Sequence, residues 1–392
     1  MSNDPVVIVA ARRTPLGAFQ GSLGSVSATD LAATAISAAT ADCGLDPALI
    51  NEVLLGCVLP AGLGQAPARQ AALAGGIPTA VPCTTVNKVC GSGMKTTMLG
   101  HDLIRAGTAS VVLCGGMESM SNAPYLLPKA RGGFRMGHQE ALDHMFFDGL
   151  QNPYDGNMMG HFAELTAQKY GFTRENQDAF AIESVSRARA ALSEGRFAAE
   201  IAAVNVKSRK GEFVVAEDEG PGTAKLEKIP ELRPAFSKDG TVTAASSSSI
   251  SDGAAALILM SESHAKTQGM PILAKISGHS GFAQEPEWFT TSPVFAIRSL
   301  HKKLAWNPDN VDLYEINEAF ACVTMAAMKD VGIPHDKVNV NGGACALGHP
   351  IGASGARIIV TLLHALREKG GGRGIASLCI GGGEAVAIGI EV

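Results

Sequence analysis

The feature of this 392-residue chain that most constrains its fold is an internal repetition. Three short stretches recur in the same order: Gly44–Val53 matches Trp306–Glu315, Cys90–Lys95 matches Gly352–Arg357, and Val112–Gly116 matches Leu378–Gly382. Chance similarity of turn and strand sequences is the plain alternative, and three ordered matches argue against it. The repetition predicts two similar α/β halves joined in one chain.

In both halves, apolar strand-like runs alternate with helical spacing. In the first half the predicted strands and helices are strand Val6–Ala11, helix Ala28–Cys43 capped by Ser27, strand Asn51–Val58, helix Ala68–Ala74, strand Cys83–Val86, helix Gly93–Ala106 and strand Ser110–Cys114. In the second half they are strand Ile272–Ser277, helix Pro293–Leu304, strand Val311–Ile316, helix Ala319–Val331, helix Gly352–Arg367 and strands Ile375–Cys379 and Ala385–Glu391. Such alternation is typical of a mainly parallel sheet covered on both faces.

A long excursion separates the two halves. Residues 119–250 include a predicted amphipathic helix at about Thr173–Glu194 and a polar segment near 207–243, and they are too many for a simple loop. The predicted domains are therefore 1–118 together with about 251–270, a lid or substrate-binding subdomain at 119–250, and 271–392.

Composition excludes several classes of protein. The net charge is −5 and no basic run occurs, which argues against a nucleic-acid-binding protein. The short clusters Arg12-Arg13 and Lys207–Lys210 are predicted to be solvated surface. The first apolar run is too short for a signal sequence, and none reaches the ~18 residues of a membrane span, so a cytoplasmic protein is expected. The eight cysteines lack zinc spacing, so reduced thiols and no metal site are predicted.

Cys90 is the first candidate for chemistry. It lies where a strand ends and a helix begins, in Val86-Asn-Lys-Val-Cys-Gly-Ser-Gly. The amides and positive dipole end of a helix N-terminus favour a thiolate, the nucleophilic form of cysteine. A buried structural cysteine at a helix cap explains this stretch equally well.

His349 is the second candidate. It stands between Gly348 and Pro350, just before a predicted helix, in a rigid turn that suits a general base for a thiol. A histidine that merely fills a tight turn is the alternative.

Cys379 and Asn317 complete the set. Cys379 precedes three glycines whose amides can hold an oxyanion, and its thiol can exchange a proton with a substrate carbon. Asn317, in Glu315-Ile-Asn-Glu-Ala-Phe, can orient a water, although Asn is also a common helix cap. We predict that all four candidates lie at the C-terminal ends of parallel strands, where sites assemble in open α/β sheets.

These stretches together resemble the thiolase family, and the match runs nearly end to end. The combination of Gly348-His-Pro with the late Cys379-Ile-Gly-Gly is similar to thiolases rather than to the related ketoacyl synthases. The resemblance implies an α/β fold with two similar βαβαβαββ domains, central mixed five-stranded sheets in five layers (α-β-α-β-α), and a lid subdomain.

The resemblance also implies roles for the candidate residues. Cys90 is the acylated nucleophile, His349 takes its proton, and Cys379 removes a proton from the methyl group of acetyl-CoA. Asn317 holds a water that forms one oxyanion site with Nε2 of His349, and the amides of Cys90 and Gly381 form the other. No metal or redox cofactor is implied, and coenzyme A is a substrate and product.

Within the family, the chain is most similar to acetyl-CoA C-acetyltransferases, which act on acetyl-CoA, acetoacetyl-CoA and CoA. The loop at Arg131–Gly137 is similar to one that ties dimers into a homotetramer. The residues that the resemblance assigns to CoA binding are Met159, Leu232, Ala235, Phe236, Ala244, Ser248, Ala319 and Phe320.

Three departures from the family pattern bear on the substrate. Ala245–Ser249 is similar to the long-chain degradative branch, and Lys225 or Lys228 takes the place of an arginine near the nucleotide end of CoA. Trp288-Phe-Thr stands where a smaller pair is expected, which favours short acyl groups. A 3-ketoacyl-CoA thiolase for longer chains and a non-catalytic CoA-binding scaffold remain as alternatives.

Overall fold

A computed structural model describes residues 4–208 and 211–392, so Arg209 and Lys210 of the basic cluster lie outside the described residues. The strands are β1 Val6–Arg13, β2 Gly17–Ala18, β3 Glu52–Gly56, β4 Cys83–Val86, β5 Val111–Ser119, β6 Tyr125–Leu126, β7 Leu142–Asp143, β8 Val204–Ser208, β9 Gly211–Val215, β10 Ser251–Ser261, β11 Ala274–Ala283, β12 Leu313–Ile316, β13 Arg373–Ile380 and β14 Glu384–Glu391. The α-helices are α1 Ala28–Cys43, α2 Pro67–Ala74, α3 Ser92–Ala106, α4 Met159–Tyr170, α5 Arg174–Ser193, α6 Glu219–Thr223, α7 Glu262–Thr267, α8 Ser292–Leu304, α9 Ala321–Val331, α10 Ala344–Leu347 and α11 Ser354–Lys369. Shorter helical turns lie at Pro47–Leu49, Met120–Asn122, Ala130–Gly132, Phe146–Leu150, Leu226–Glu231, Pro286–Thr291 and His335–Lys337.

One mixed sheet runs through the molecule in the order β12-β13-β14-β11-β1-β10-β5-β3-β4, with β2 paired to β10. The two halves meet where β1 and β11 pair antiparallel, with Val6 opposite Ile276. In the second half, the outermost position is an isolated parallel bridge between Tyr314 and Val338. The α/β class and the mixed sheet are confirmed.

The expectation of a mainly parallel sheet is wrong. Among the strand pairs of the main sheet in residues 4–208 and 211–392, only β3–β4, β3–β5 and β12–β13 are parallel. β10 returns from the excursion and inserts between β1 and β5, antiparallel to both. β14 follows β13 after the short Gly381–Gly383 turn, which is too short for a crossover and therefore forces an antiparallel pair.

Helices α3 and α11 pack against each other in the layer between the two halves. A Cβ added to Gly93 would lie 2.7 Å from the backbone nitrogen of Ala356, and one added to Gly355 would lie 2.3 Å from that of Met94. Only glycine permits so close a helix crossing. The crossing brings the N-terminal ends of both helices, with the loops that precede them, to one place.

Helix ends agree well with the sequence prediction. Helix α1 spans Ala28–Cys43 as predicted, with the side chain of Ser27 accepting a hydrogen bond from the amide of Asp30. Helix α5 begins after Thr173 in a capping box with Asn176. Local side-chain-to-backbone bonds determine these ends, so sequence alone can locate them.

The excursion carries helices α4 and α5 and the hairpin β8–β9, which replaces the loop predicted around Lys207. Its division from the two halves stays a prediction. It is tied to β1 by Arg13, whose guanidinium lies 2.5 Å from Glu200 and 2.7 Å from Asp218. The solvated surface expected for Arg13 is wrong, since the residue is fully buried. Two carboxylates from distant positions compensate the cost of burying its charge.

Within the described ranges, none of the helices combines the length and the apolar character that a membrane crossing requires.

Candidate active site

Cys90 lies in the loop between β4 and α3 and is partly accessible. The preceding residue, Val89, has φ +45°, a conformation that a β-branched residue rarely adopts. The hydroxyl of Ser92 accepts a hydrogen bond from the Lys88 amide at 2.8 Å and donates to the Val89 carbonyl at 2.6 Å. These bonds hold the strained turn that presents the sulfur.

His349 lies between α10 and α11 rather than after a strand, so this part of the strand-end prediction is wrong. Gly348 before it has φ +107°, which suits glycine, and the His349 amide donates to the Ser249 carbonyl at 3.1 Å. The Nδ1 atom lies 2.6 Å from Ser354 Oγ, and that hydroxyl donates to the Pro350 carbonyl at 2.9 Å. With the hydroxyl proton so engaged, Nδ1–H donates to Ser354 and Nε2 carries the lone pair of the ring.

Asn317 follows β12, as predicted, and is buried. Its side-chain nitrogen lies 3.5 Å from both ring nitrogens of His349. Its Oδ1 atom is buried and has no hydrogen-bond partner among the residues that the structure describes. A buried amide oxygen without a partner is a place where a water or ligand donor binds.

Cys379 is the penultimate residue of β13 and is fully buried. It packs in an apolar cluster with Phe162, Phe289, Ala319 and Phe320. The pKa of Cys379 is raised, first by burial and next by the charge of Cys90, so the two thiols lie within electrostatic range of each other.

The turn after β13 meets the Cys90 loop. A Cβ added to Gly91 would lie 2.4 Å from Ile380, and one added to Gly381 would lie 3.8 Å from Val89. The backbone N–H of Gly381 faces the Cys90 sulfur and acts to lower the pKa of that thiol. Gly381 is thus beside Cys90, where the sequence placed an oxyanion donor.

The electrostatics of the site favour the uncharged forms of Cys90 and His349. Burial raises the pKa of Cys90 to about 11, with a further contribution from the carboxylate of Glu118, while the amides of Gly381 and Cys90 act in the opposite direction. Burial, and then Arg357, lowers the pKa of His349 to about 3. The thiolate expected from the helix N-terminus is therefore not favoured in the free protein, because desolvation outweighs the amides.

A cavity of roughly 190 Å³ opens beside His349. Five of the eight residues predicted to bind CoA line it: Met159, Phe236, Ser248, Ala319 and Phe320. Leu232, Ala235 and Ala244 do not line this cavity. Ala235 and Ala244 are exposed, and the Ala235 amide donates to the Val242 carbonyl, so this segment lies outside the cavity itself.

Sequence reasoning missed several residues of the site. The cavity wall also includes Met120, Phe146 and Ile351, and the buried Glu118 lies behind it. Glu118 accepts hydrogen bonds from the amides of Val58, Leu59 and Gly352 at 3.0, 3.1 and 2.9 Å. An acidic residue inside the apolar run of β5 was the available signal, since such residues are rarely buried without partners.

Comparisons with known proteins agree with this arrangement. The family model described as the thiolase N-terminal domain matches residues 6–263, and that of the thiolase C-terminal domain matches residues 270–392. The chain is 49% identical over 386 residues to an acetyl-CoA acetyltransferase of Pseudomonas aeruginosa, covering 98% of each chain. It is 51% identical to acetyl-CoA acetyltransferase 2 of Arabidopsis thaliana, covering 99% of this chain and 97% of the relative.

Solved structures show the same fold. The Acat5 thiolase of Ascaris suum, in complex with coenzyme A, is 42% identical with a TM-score of 0.94 and covers 99% of each chain. The acetyl-CoA acetyltransferase of Bacillus anthracis is 42% identical with a TM-score of 0.96, covering 99% of this chain and 98% of that one. As its sequence motifs predicted, the chain belongs to the thiolase family and is an acyltransferase.

Proposed function

We propose that this thiolase is an acetyl-CoA C-acetyltransferase, which condenses two acetyl-CoA molecules reversibly to acetoacetyl-CoA and CoA. The names of the similar proteins from Pseudomonas aeruginosa and Arabidopsis thaliana support this substrate, and the Ascaris suum neighbour was solved with coenzyme A. The observation that carries the proposal is the meeting of Cys90, the Gly381 amide and Cys379, with His349 on the wall of an adjacent apolar cavity.

In the first half-reaction, Cys90 attacks the thioester carbon of acetyl-CoA. The Nε2 atom of His349, which carries the lone pair because Nδ1 contacts Ser354, takes the thiol proton as the S–C bond forms. The amides of Cys90 and Gly381 stabilise the oxyanion. The C–S bond to CoA breaks, and Cys379 gives its proton to the departing CoA thiolate.

In the second half-reaction, the Cys379 thiolate removes a proton from the methyl group of a second acetyl-CoA. A water on Asn317, together with His349 Nε2–H, stabilises the enolate oxygen. The carbanion attacks acetyl-Cys90, a C–C bond forms, and the Cys90 thiolate leaves and recovers its proton from His349. All groups return to their starting protonation, so ping-pong kinetics are expected.

The acyl end of the site supports a short substrate. Phe289 is 3% exposed and packs edge-on against Phe162, with ring centres 6.2 Å apart, in the cluster that contains Cys379. A bulky side chain there leaves little room beyond the reacting sulfurs. The Ser-rich stretch Ala245–Ser249 favours the alternative, a 3-ketoacyl-CoA thiolase for longer chains, and part of it lines the cavity.

The remaining expectations are part of the same proposal. Phe134 and Met136 are exposed, the latter by 91%, which supports an assembly through the loop Arg131–Gly137 and hence a homotetramer. Lys225 and Lys228 are exposed and stay candidates for the nucleotide end of CoA. A cytoplasmic location and the absence of a metal or redox cofactor stay predictions.

Two measurements test the proposal. Incubation with acetyl-CoA followed by intact-mass spectrometry should show one acetyl adduct that disappears in Cys90→Ser, whereas no adduct in the parent enzyme would support the scaffold. Cleavage of acetoacetyl-CoA should be faster than that of longer 3-ketoacyl-CoAs. Faster cleavage of the long substrates would replace the acetyl-specific assignment with the degradative one.

A further inference from the structure

Two histidines and an aspartate meet on the surface, away from the residues of the proposed active site. His101 and Asp102 lie near the end of α3, and His279 lies on β11. One oxygen of Asp102, Oδ1, is 3.0 Å from His101 Nδ1 and 2.9 Å from His279 Nε2. The rings of the two histidines pack edge to face with centres 5.1 Å apart.

The donor atoms of these three side chains lie within 4.8 Å of one another, and no other such group of three occurs in the described parts of the chain. Around a tetrahedral Zn²⁺ with bonds of about 2.0–2.1 Å, neighbouring ligand atoms are about 3.3–3.4 Å apart. The two nitrogen–oxygen distances would therefore have to widen by less than about 0.5 Å. The two ring nitrogens lie within 4.8 Å of each other and would have to adopt the same spacing.

The accessibility of the cluster also suits a metal ion. The imidazole side chains are 15% and 14% exposed, so their positions are restricted by packing. The carboxylate side chain is 53% exposed, which leaves space for a solvent ligand in the fourth position. The cluster lies in a surface depression of roughly 550 Å³.

The cationic side chains around the cluster restrict which metal ions can bind there. Arg105, Lys275 and Lys303 line the same depression, and only Asp102 among its lining residues carries a negative charge. Arg105 donates to the Asp4 carbonyl and Lys303 donates to the His279 carbonyl. Because the charged residues around the cluster do not attract a cation, the affinity for a metal ion must come from the directed lone pairs of the two imidazole rings. This dependence on nitrogen ligands excludes Mg²⁺ and Ca²⁺, which prefer oxygen ligands, and favours Zn²⁺, Ni²⁺ or Cu²⁺.

We propose that His101, Asp102 and His279 form a binding site for a divalent transition-metal ion of this class. The ion would link α3, the helix whose other end follows the Cys90 loop, to β11 of the second half. The sequence alone does not reveal this site, because His279 is 177 positions from Asp102 along the chain. It requires neither a substrate nor the proposed acetyltransferase reaction.

Titration calorimetry with Zn²⁺ and with Ni²⁺ on the full-length protein tests the proposal. The variants are His101→Asn, Asp102→Asn and His279→Asn, and the matched control is His264→Asn on α7, a partly buried histidine outside the cluster. Cysteines elsewhere are the same in all five proteins, so their metal binding cancels in the comparison. Circular dichroism and thiolase activity, which these residues do not serve, establish that each variant is folded.

The parent and His264→Asn should bind one more metal ion per chain than the three cluster variants. If the variants still bind that ion, their affinity for it should be at least about tenfold weaker. Metal should also raise Tm in the parent and the control but not in the cluster variants, because it binds only the folded protein. Equal stoichiometry and affinity in all five proteins would overturn the proposal. So would retention of the site in His279→Asn alone, because the ion would then not join the two halves.

Discussion

The loop that carries Cys90 and the loop that carries His349 occupy equivalent places before α3 and α11, yet they are held differently. The Cys90 loop contains a strained valine and is held by the hydroxyl of Ser92, and the Cys90 residue stays partly accessible. The His349 loop is buried and begins at a glycine with positive φ. In the proposed mechanism, the first loop presents a group that must meet a substrate, whereas the second orients a base whose lone pair must point in one direction.

The two loops are also linked by a buried carboxylate, that of Glu118. Glu118 accepts hydrogen bonds from the Gly352 amide in the His349 loop and from the amides of Val58 and Leu59. Val58 and Leu59 belong to one apolar cluster with Ile351, and Cys90 packs against that cluster. Burial raises the pKa of Glu118 to about 7, while its amide donors act in the opposite direction. One buried carboxylate thus supports both walls of the site and its charge opposes the Cys90 thiolate.

The largest expected effect is on the first loop. Cys90→Ser should reduce kcat by at least on the order of 10⁴-fold, since loss of a nucleophile removes the covalent route. Steady-state condensation and thiolysis rates measure it. Cys43→Ser, which replaces another buried thiol at the end of α1, is the matched control and should retain activity. Activity of Cys90→Ser within tenfold of the parent would show that this loop does not carry the nucleophile.

The second largest expected effect distinguishes the role of Cys379 from that of Cys90. Cys379→Ser should still form the acetyl adduct on Cys90, but exchange of the acetyl-CoA methyl protons with deuterated water should fall by about 10²–10⁴-fold, the range of general base catalysis. Intact-mass spectrometry measures the acetyl adduct, and NMR on the same sample measures the exchange of the methyl protons. Exchange at the parent rate would remove Cys379 from the second half-reaction.

A smaller effect tests how the second loop orients its base. Ser354→Ala removes the contact to His349 Nδ1 and should lower kcat by about tenfold, because the ring loses its preferred tautomer and orientation. The pH profile of kcat should change shape, which a purely structural loss would not cause. Ser354→Thr, which keeps the hydroxyl, should recover most of the rate. A Thr variant as slow as the Ala variant would indicate that the hydroxyl acts only through packing.

The smallest effect concerns pH and the link between the loops. The rate of Cys90 alkylation by iodoacetamide should still be rising above pH 9 in the free enzyme, because the pKa of Cys90 is raised to about 11. In Glu118→Gln the negative charge is lost, so the alkylation midpoint should move to lower pH, by up to about one unit. Glu262→Gln on α7 is the surface control and should not move it. A parent midpoint below pH 8 would instead indicate a preformed thiolate–imidazolium pair.

Much of the local structure was predictable because short-range interactions determine it. The Ser27 cap and the apolar spacing of α1 defined that helix at both ends. The turn residues around Cys90, His349 and Cys379 identified the family, since the backbone conformations needed there restrict the residues that fit. The repeated glycine stretches predicted two related halves, and their contact at Gly93 and Gly355 gives the repetition a structural cause.

The rest depended on partners that are remote in the chain. Strand directions followed from where β10 inserts, between β1 and β5, which no local pattern in β10 encodes. Arg13 looked like surface because Glu200 and Asp218, its partners, are more than 180 positions away. The protonation of Cys90 followed from the packing around it, because desolvation by the assembled halves outweighs the helix end that the sequence reveals. Sequence by itself thus determined the family and the candidate groups of the site, through motifs that act over a few residues. Only the tertiary structure decided their burial, their distances and their charge, because those properties belong to the whole packed assembly.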